Sequence, residues 1–403
     1  MRLVGALLAC AGCLSQPAFP EAAGEPFPPD GPLAVHAAGT GDLNGDGAPD
    51  LLLASAPDAD GRGLYLVFGG APGWMNRYHG FLPTPELDAY AIHEGDVDGD
   101  GLADVAIVGP TDVDQATLAV YLGDRPGGTH FATGLVRRID GVEVSLDDQR
   151  AYLFPAQVDG DGDADLIAGQ HGWEAAIELD AFDENFIDVP VTTLPRVAPY
   201  GPSTSAAIAL PSGESGLDDL LVARYDETAL YRNGGTGFTD TGEITVLDPD
   251  YGMSRAGFFD VGGDGRVDVL GWGGGRLIGH VPDPAGPVHL VYPDYSDGTP
   301  VRFDVADLDD DGAAEVIVVL ADTGVTHVLL FAGVGFDTTV DPPDVTGAER
   351  DPIDLADFEA AAAALADFDG DGTRDLVMVA ADGTWRCLSV RAVGASECAT
   401  AAP

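Results

Sequence analysis

The sequence contains no lysine, and its 18 basic residues are all arginine, set against 68 aspartates and glutamates. The formal net charge at pH 7 is therefore −50. Such a chain repels phosphate backbones and anionic lipid headgroups, so we expect binding neither to nucleic acid nor directly to a membrane surface. The charge favours cations as partners. An acidic surface adapted to high salt is the alternative explanation.

Long apolar runs are also absent, and none is long enough to span a bilayer. The N-terminal "MRLVGALLACAGCLSQ" has one arginine and a short apolar run, which indicates an export signal. Cys10-Ala11-Gly12-Cys13 resembles a lipoprotein cleavage site, which implies lipidation of Cys13, with Cys10 as the alternative. An ordinary secretory signal that is cut later is the other alternative.

This N-terminal pattern predicts three segments. Residues 1–13 form the export signal, residues 14–32 a Pro-rich, extended tether, and residues 33–398 the folded domain. We expect a protein of the cell envelope or outer surface, held to the membrane only by a lipid anchor, or else a secreted protein.

Cysteine is scarce, with four residues in the chain. Two of them, Cys387 and Cys398, flank a predicted hairpin near the C-terminus. Export would bring them into an oxidising compartment, so we predict a disulfide between them that holds the last strand. Two free thiols are the alternative.

An acidic nonapeptide recurs along the chain. It has the form Asp-x-Asp/Asn-x-Asp-Gly-x-x-Asp, and an apolar run follows it directly, as in "DVDGDGLADVAIV" from Asp96. The four intact copies carry Asp42, Asn44, Asp46 and Asp50; Asp96, Asp98, Asp100 and Asp104; Asp307, Asp309, Asp311 and Glu315; and Asp367, Asp369, Asp371 and Asp375.

Three further copies are degraded. In the loop at 157–165, Gln157 replaces the first acid, and Asp159, Asp161 and Asp165 remain. In the loop at 260–268, Gly262 takes the second ligand position, and Asp260, Asp264 and Asp268 remain. The loop at 211–219 keeps Asp219 and is not expected to bind metal.

The repeat spacing indicates the fold. The seven copies begin at residues 42, 96, 157, 211, 260, 307 and 367, and each unit contains several short apolar segments bounded by Gly, Pro and Asp. About fifty residues and four short strands per unit is typical of a β-propeller blade. We therefore predict an all-β fold, a seven-bladed propeller of four-stranded antiparallel blades. The alanine-rich stretch at 354–368 looks helical, but we interpret most of it as strand.

The acidic loop offers only oxygen ligands. Positions one, three and five supply side chains, position seven a backbone carbonyl and position nine a further carboxylate, while glycine at position six permits the turn. An oxygen cage of six or seven ligands suits Ca²⁺ better than Mg²⁺ or Zn²⁺. We predict about four to six calcium ions, because the loops at 157–165 and 260–268 are incomplete.

These nonapeptides, together with "FGG" (68–70), "YLG" (121–123) and "FAG" (331–333), resemble the FG-GAP (VCBS-type) repeats of the integrin alpha-subunit head and of bacterial surface proteins. The resemblance covers about residues 33–398. It implies a seven-bladed propeller with calcium in the hairpin loops on one rim, and adhesion or ligand binding on the opposite rim.

Three functions remain open. The first is a monomeric, calcium-stabilised module that binds an unidentified protein or glycan. The second is an enzyme, since some polysaccharide lyases resemble this pattern; no His-Glu-x-x-His or Gly-x-Ser-x-Gly motif supports it, and the eight histidines are scattered. The third is a purely structural envelope protein. We favour the first and expect no catalysis.

Overall fold

The computed structural model describes most of the repeat region. The described residues are 35–55, 63–70, 74, 79–84, 89–97, 100–110, 115–123, 131–143, 151–160, 165–170, 173–177, 191–193, 204–211, 216–224, 227–235, 238–246, 253–261, 265–280, 287–289, 298–308, 311–337, 344–349, 352–391 and 394–397. All the elements defined in these residues are β-strands. Within them, no helix has the length and apolar character needed to cross a membrane.

Several predictions concern residues outside this part of the chain. They are the export signal at 1–13, the tether at 14–32, and the site residues Cys10, Cys13, Asp98, Asp161, Asp264, Asp309 and Cys398.

The first sixteen strands are β1 (Val35–Gly41), β2 (Asp50–Ser55), β3 (Gly63–Val67), β4 (His79–Pro83), β5 (Ala91–Gly95), β6 (Asp104–Pro110), β7 (Gln115–Gly123), β8 (Phe131–Glu143), β9 (Ala151–Ala156), β10 (Asp165–Gln170), β11 (Trp173–Ile177), β12 (Val191–Thr193), β13 (Thr204–Pro211), β14 (Asp218–Arg224), β15 (Glu227–Asn233) and β16 (Phe238–Val246). They form four antiparallel sheets, β1–β4, β5–β8, β9–β12 and β13–β16, with the strands in chain order.

The remaining strands are β17 (Arg255–Phe259), β18 (Asp268–Gly273), β19 (Arg276–His280), β20 (Pro287–His289), β21 (Thr299–Ala306), β22 (Ala314–Asp322), β23 (Val325–Asp337), β24 (Asp344–Glu349), β25 (Ile353–Ala356), β26 (Ala360–Ala366), β27 (Arg374–Ala380), β28 (Trp385–Arg391) and β29 (Gly394–Glu397). They form the sheets β17–β20, β21–β24 and β26–β29, and β25 pairs with β23. The stretch at 354–368 is thus mostly strand, as interpreted from the sequence.

The first strands of successive sheets contact one another in a cycle. β1 contacts β5, and the series continues through β9, β13, β17, β21 and β26 back to β1. The sheets formed by the described residues, seven in number, are each open; side-chain packing joins them, together with hydrogen bonds outside the strand pairing such as that from the Asp218 N–H to the Gln157 carbonyl. The prediction of an all-β propeller built from four-stranded antiparallel sheets is confirmed.

The core lies between neighbouring sheets. Every residue of β2, β6 and β18 is buried, because each of these second strands is covered on both faces. Leu52 of β2 belongs to the same apolar cluster as Ile107 of β6, whereas Leu51 and Leu53 cluster with residues of β26 and β27. Alternate side chains of one strand therefore pack against opposite neighbours.

The first and last sheets meet at a seam without exchanging a strand. Trp74 stacks on Phe368 with 4.6 Å between the ring centroids, and the Gly70 N–H donates to the Phe368 carbonyl over 2.8 Å. Cys387, on β28 of the last sheet, is disulfide-bonded. Its predicted partner, Cys398, lies outside the described residues, so that pairing stays a prediction.

Candidate metal-binding loops

The acidic loops connect the first and second strands of the sheets. Asp42 follows the last residue of β1, and Asp50 is the first residue of β2. The closing acid at position nine is at most 2% exposed in every repeat, at Asp50, Asp104, Asp165, Asp219, Asp268, Glu315 and Asp375. Since the innermost strands all lead into these loops, the loops lie at one end of the ring.

The closing acid fastens its loop to the third strand. Asp50 accepts the Leu43 N–H on Oδ2 and the Gly69 N–H on Oδ1, both over 2.9 Å. Asp104 repeats this arrangement with the N–H groups of Val97 (2.8 Å) and Gly123 (2.9 Å). Glu315 does the same with Leu308 (2.8 Å) and Gly333 (3.2 Å). Position nine is therefore part of the hairpin framework as well as a candidate ligand.

The glycines of the "FGG" and "YLG" segments allow this contact. A Cβ on Gly69 would lie 2.1 Å from the Pro49 carbonyl oxygen, and one on Gly123 would lie 2.5 Å from that of Ala103. These distances are too short for any side chain, so the backbone can approach the closing acid only at glycine. The sequence signal for this role is a glycine 19 residues after the closing aspartate.

The first acid of each intact loop accepts a backbone N–H group from across the turn. Asp42 accepts those of Asp46 (3.0 Å) and Gly47 (2.8 Å), and Asp367 accepts those of Asp371 (3.0 Å) and Gly372 (2.9 Å). Gly47 has a φ of +91°, a left-handed conformation that favours glycine. The loop therefore curls around its first carboxylate.

The side chain at position five forms a hydrogen bond with the backbone of its own turn. Its carboxylate accepts the N–H two residues later, over 2.7 to 2.9 Å, at Asp46, Asp100, Asp311 and Asp371. This is the usual Asx-turn bond, which shapes the loop locally. One oxygen of each of these side chains is thereby committed to the backbone.

The loop at 367–375 brings three carboxylates together. Ligand oxygens of Asp367, Asp369 and Asp375 all lie within 4.8 Å of one another, and no other such group of acids, histidines or cysteines occurs in the described residues. Asp371, although predicted as a ligand, is outside this group. The other intact loops have Asn44, or the undescribed Asp98 and Asp309, at position three.

The crowding of acids raises carboxyl pKa values. Burial is the main cause for Asp375, whose pKa rises to about 7, and the charges of Asp369, Asp371 and Asp367 add to it. Burial likewise raises the pKa of Asp50 to about 7, with smaller contributions from Asp46 and Asp42. Burial is also the main cause of the raised pKa of Asp369.

One further carboxylate, Glu94, escapes the sequence pattern. It lies on β5 between two acidic loops, and a Cβ on Gly41 would lie 1.7 Å from its Oε2. Burial, followed by the charge of Asp42, raises its pKa to about 7. No spacing rule marks Glu94, since its position depends on packing between two sheets.

The two incomplete loops keep part of this arrangement. Asp165 accepts the Val158 N–H over 2.8 Å, and Asp268 accepts that of Val261 over 2.9 Å. Asp260 accepts the Gly265 N–H over 2.8 Å. Asp159 is described as exposed, while Asp161 and Asp264 lie outside the described residues. Whether either loop binds metal stays a prediction.

The closing acid of the loop at 211–219 pairs with an arginine of the same sheet. Asp219 forms an ion pair with Arg232 of β15, and its other oxygen accepts the Asn233 N–H over 2.9 Å. Asp219 is 2% exposed and Arg232 is 55% exposed. In this repeat an arginine lies beside the closing acid. In the intact repeats the closing acid belongs to a loop with further acids, which is a candidate metal site.

Residues 42–107 and 215–271 match the family model described as FG-GAP-like repeat. The chain is an all-β propeller with FG-GAP-like repeats in these two segments. The two matched segments run from the first acidic loop into β6, and from the loop before β14 into β18. The FG-GAP match thus includes two intact loops, the incomplete loop at 260–268 and the end of the loop closed by Asp219.

Two solved structures are similar to this chain. One is BBS1N in complex with ARL6DN, soaked with lead, with 13% sequence identity, a TM-score of 0.51, and coverage of 90% of this chain and 93% of that chain. The other is an Agrocybe aegerita lectin described as recognising non-reducing terminal N-acetylglucosamine, with 16% identity, a TM-score of 0.48, and coverage of 90% and 87%. At this identity the first likeness supports the fold and nothing about ligands.

Proposed function

We propose that this FG-GAP repeat propeller is an exported, calcium-stabilised module that binds a protein or glycan and catalyses no reaction. The observation that carries the calcium part is the convergence of Asp367, Asp369 and Asp375 at one loop. Three carboxylates separated by such short distances repel one another unless a cation lies between them. The fold is consistent with a binding module, since propellers present broad surfaces at both ends of the ring.

The donor set favours calcium over other metals. The loop offers carboxylates, one amide oxygen at Asn44 in the first repeat, and backbone carbonyls, and it contains no histidine or cysteine. Zinc prefers nitrogen and sulfur ligands, and Mg²⁺ usually retains several waters. A flexible, all-oxygen loop suits Ca²⁺, so the residues present fit the ion.

The ion would act through charge. When bound, it supplies a positive charge that offsets the repulsion among the acids. Asp367 and Asp369 would hold it from the turn, and Asp375 would hold it from the start of β27. The same residues already accept backbone hydrogen bonds or lie buried at a strand end, so the loop needs little rearrangement to close.

The remaining parts of the proposal follow the sequence. Export agrees with calcium sites of the kind found in extracellular modules, which bind at about 0.1–1 mM. We propose a monomer, attached to the membrane through a lipid at Cys13 or Cys10, or else secreted. About four to six ions would occupy the ring.

A direct measurement of bound calcium tests the proposal. The full folded domain is dialysed against a chelator, calcium is added back, and the bound ions are counted by native mass spectrometry and by calorimetric titration. We expect about four to six ions and a rise in melting temperature. A domain that binds no calcium after re-addition would overturn it.

A further inference from the structure

A cavity opens in the centre of the ring, away from the acidic loops. It has a volume of about 340 Å³ and is lined by residues of β1, β5, β9, β17, β21 and β26. Its lining residues lie in the starting or middle parts of these strands, such as Ala37 of β1 and Ala151 of β9. The acidic loops follow the ends of the same strands, so the cavity lies toward the opposite end of the ring.

Two arginines line this cavity, in a chain whose acidic residues far outnumber its basic ones. Among the described lining residues, the charged ones are Arg255, Arg302 and Asp304, which sum to one positive charge. The whole chain carries −50. Two of only 18 arginines therefore line one small space. Two guanidinium groups that line one concave site favour an anion as its ligand, since charges of one sign in such a site concentrate ligands of the other.

Asp304 fixes the orientation of the Arg302 guanidinium. The Nε of Arg302 donates to Oδ2 of Asp304, and Nη2 donates to Oδ1, both over 2.7 Å. The two residues lie two apart on β21, so they share a face of the sheet. This contact uses one edge of the guanidinium and holds the group rigidly.

The other edge of the Arg302 guanidinium is available. Nη1 makes no hydrogen bond to any residue in the described part of the chain. The Arg302 side chain is 34% exposed, and it lines the cavity. The outward N–H groups of Nη1 and Nη2 form the planar pair of donors that binds a carboxylate with two parallel hydrogen bonds.

Arg255 brings a second cation to the same wall. Its Nε donates to the Pro300 carbonyl over 3.2 Å, which ties β17 to β21 two residues before Arg302. Tyr90 and Tyr152 also line the cavity, and alanines of β1, β9 and β26 leave the space between them open. The volume of the cavity falls within the range of small-molecule pockets.

We infer that this central cavity binds a small organic anion, with the ligand's carboxylate held by Arg302 and the second charge supplied by Arg255. The inference rests on the proposed binding role and gives it a ligand class. It does not involve the calcium loops, because the cavity lies at the other end of the innermost strands.

Calorimetric titration of the full domain at a fixed calcium concentration tests this inference. The probes are acetate, succinate and D-glucuronate, with D-glucose as the uncharged counterpart of the last. We expect saturable binding of at least one carboxylate and none of D-glucose. Arg302→Gln should weaken that binding by about tenfold or more, because it removes a charge-assisted, bidentate contact.

Arg386→Gln is the matched control. It removes the same charge from an exposed arginine on β28 that does not line the cavity, so carboxylate affinity should not change. If Arg302→Gln fails to fold, Arg302→Lys keeps the charge and loses the planar pair of donors, and it should also weaken binding. Circular dichroism checks the fold of each variant.

Two results would overturn the inference: none of the three carboxylates binds, or the Arg302 and Arg386 variants bind them equally. The melting temperature of each sample with and without calcium is recorded alongside. A domain that responds to calcium yet binds no carboxylate contradicts the cavity inference alone. A domain that binds a carboxylate without responding to calcium contradicts the calcium proposal alone.

Discussion

Arg232 forms an ion pair with Asp219, the one acid retained from the ligand pattern in the fourth loop. Asp219 lies at the start of the second strand of its sheet, as the closing acids of the other repeats do, and it is equally buried. A buried carboxylate requires compensation, and here a side chain of the same sheet provides it. The fourth repeat thus keeps its closing acid, and the cation beside that acid is an arginine side chain of the same sheet.

Replacing Arg232 should therefore destabilise the domain irrespective of calcium. Arg232→Gln leaves Asp219 buried beside a neutral side chain, and we expect the free energy of unfolding to fall by about 1–2 kcal/mol. Arg386→Gln is the comparison of equal charge: this exposed guanidinium lies 5.3 Å from the centroid of the Phe358 ring, a contact worth about 0.5–1 kcal/mol. Denaturant unfolding with and without calcium measures both, and a full rescue of Arg232→Gln by calcium would contradict this account.

The stability that the loop at 367–375 contributes should depend on calcium, in contrast to that contributed by Arg232. Asp369→Ala removes one of three converging ligand side chains, so the domain should lose the stabilisation that one calcium site contributes, about 1.4 kcal/mol at tenfold excess over Kd. Asp357→Asn is the control, since Asp357 is exposed and has a φ of +58°, which asparagine also adopts. The calcium-induced change in melting temperature is the measurement. Equal responses of the two variants would count against the site.

Calcium binding should strengthen as the pH rises through about 7, the pKa to which burial and neighbouring acids raise Asp375 and Asp50. Their folded values lie above the ordinary value of 3.8, so protonation favours the folded, metal-free state. That stabilisation is complete below about pH 3.8 and is lost as the pH rises through 7. The metal-free domain should therefore be less stable at pH 8 than at pH 5.5.

Calorimetric titrations of calcium at about pH 5.5 and pH 8 check this dependence, together with thermal unfolding in chelator. Protons compete with the ion for the same oxygens, so the calcium affinity should be higher at pH 8. Affinities that do not differ would show that these carboxylates are not ligands.

Gly69→Ala should lower the free energy of unfolding, because the new Cβ would collide with backbone atoms that cannot move as a side chain can. The added Cβ would lie 2.1 Å from the Pro49 oxygen and 2.8 Å from the Phe368 oxygen, so both the hairpin and the seam would have to move. We expect a loss of about 1–3 kcal/mol. Gly39→Ala is the comparison, since its Cβ would meet the Ile92 side chain at 3.0 Å. Denaturant unfolding gives both values, and equal losses would contradict the argument.

The repeats made much of the fold predictable from the sequence. Apolar runs after the acidic loops marked the second strands, because a strand covered on both faces needs no polar alternation. The glycine at position six and the acids at positions one and three indicated the turn. The alanines of β26 were harder to interpret, since alanine favours helix; their burial between sheets overrides that preference.

The rest of the site depends on contacts between distant residues. Arg232 lies 13 residues from Asp219, and Glu94 reaches the first loop only because β5 packs on β1. The sequence pattern presents Asp219 as a remnant, whereas the structure shows a buried, paired acid. The orientation of Arg302 likewise required the sheet, because only the strand geometry places Asp304 beside its guanidinium.

The seam between β1 and β26 has a consequence for how such rings evolve. Among the described strands, each sheet is made from one continuous stretch of chain, and no strand pairing crosses from the last sheet to the first. The hydrogen bond between Gly70 and Phe368 crosses this seam outside the strands. A gene that duplicates or deletes one unit would break no strand pairing. The number of units in the ring is then limited by the angle at which neighbouring sheets pack, and selection can adjust that angle through side chains alone.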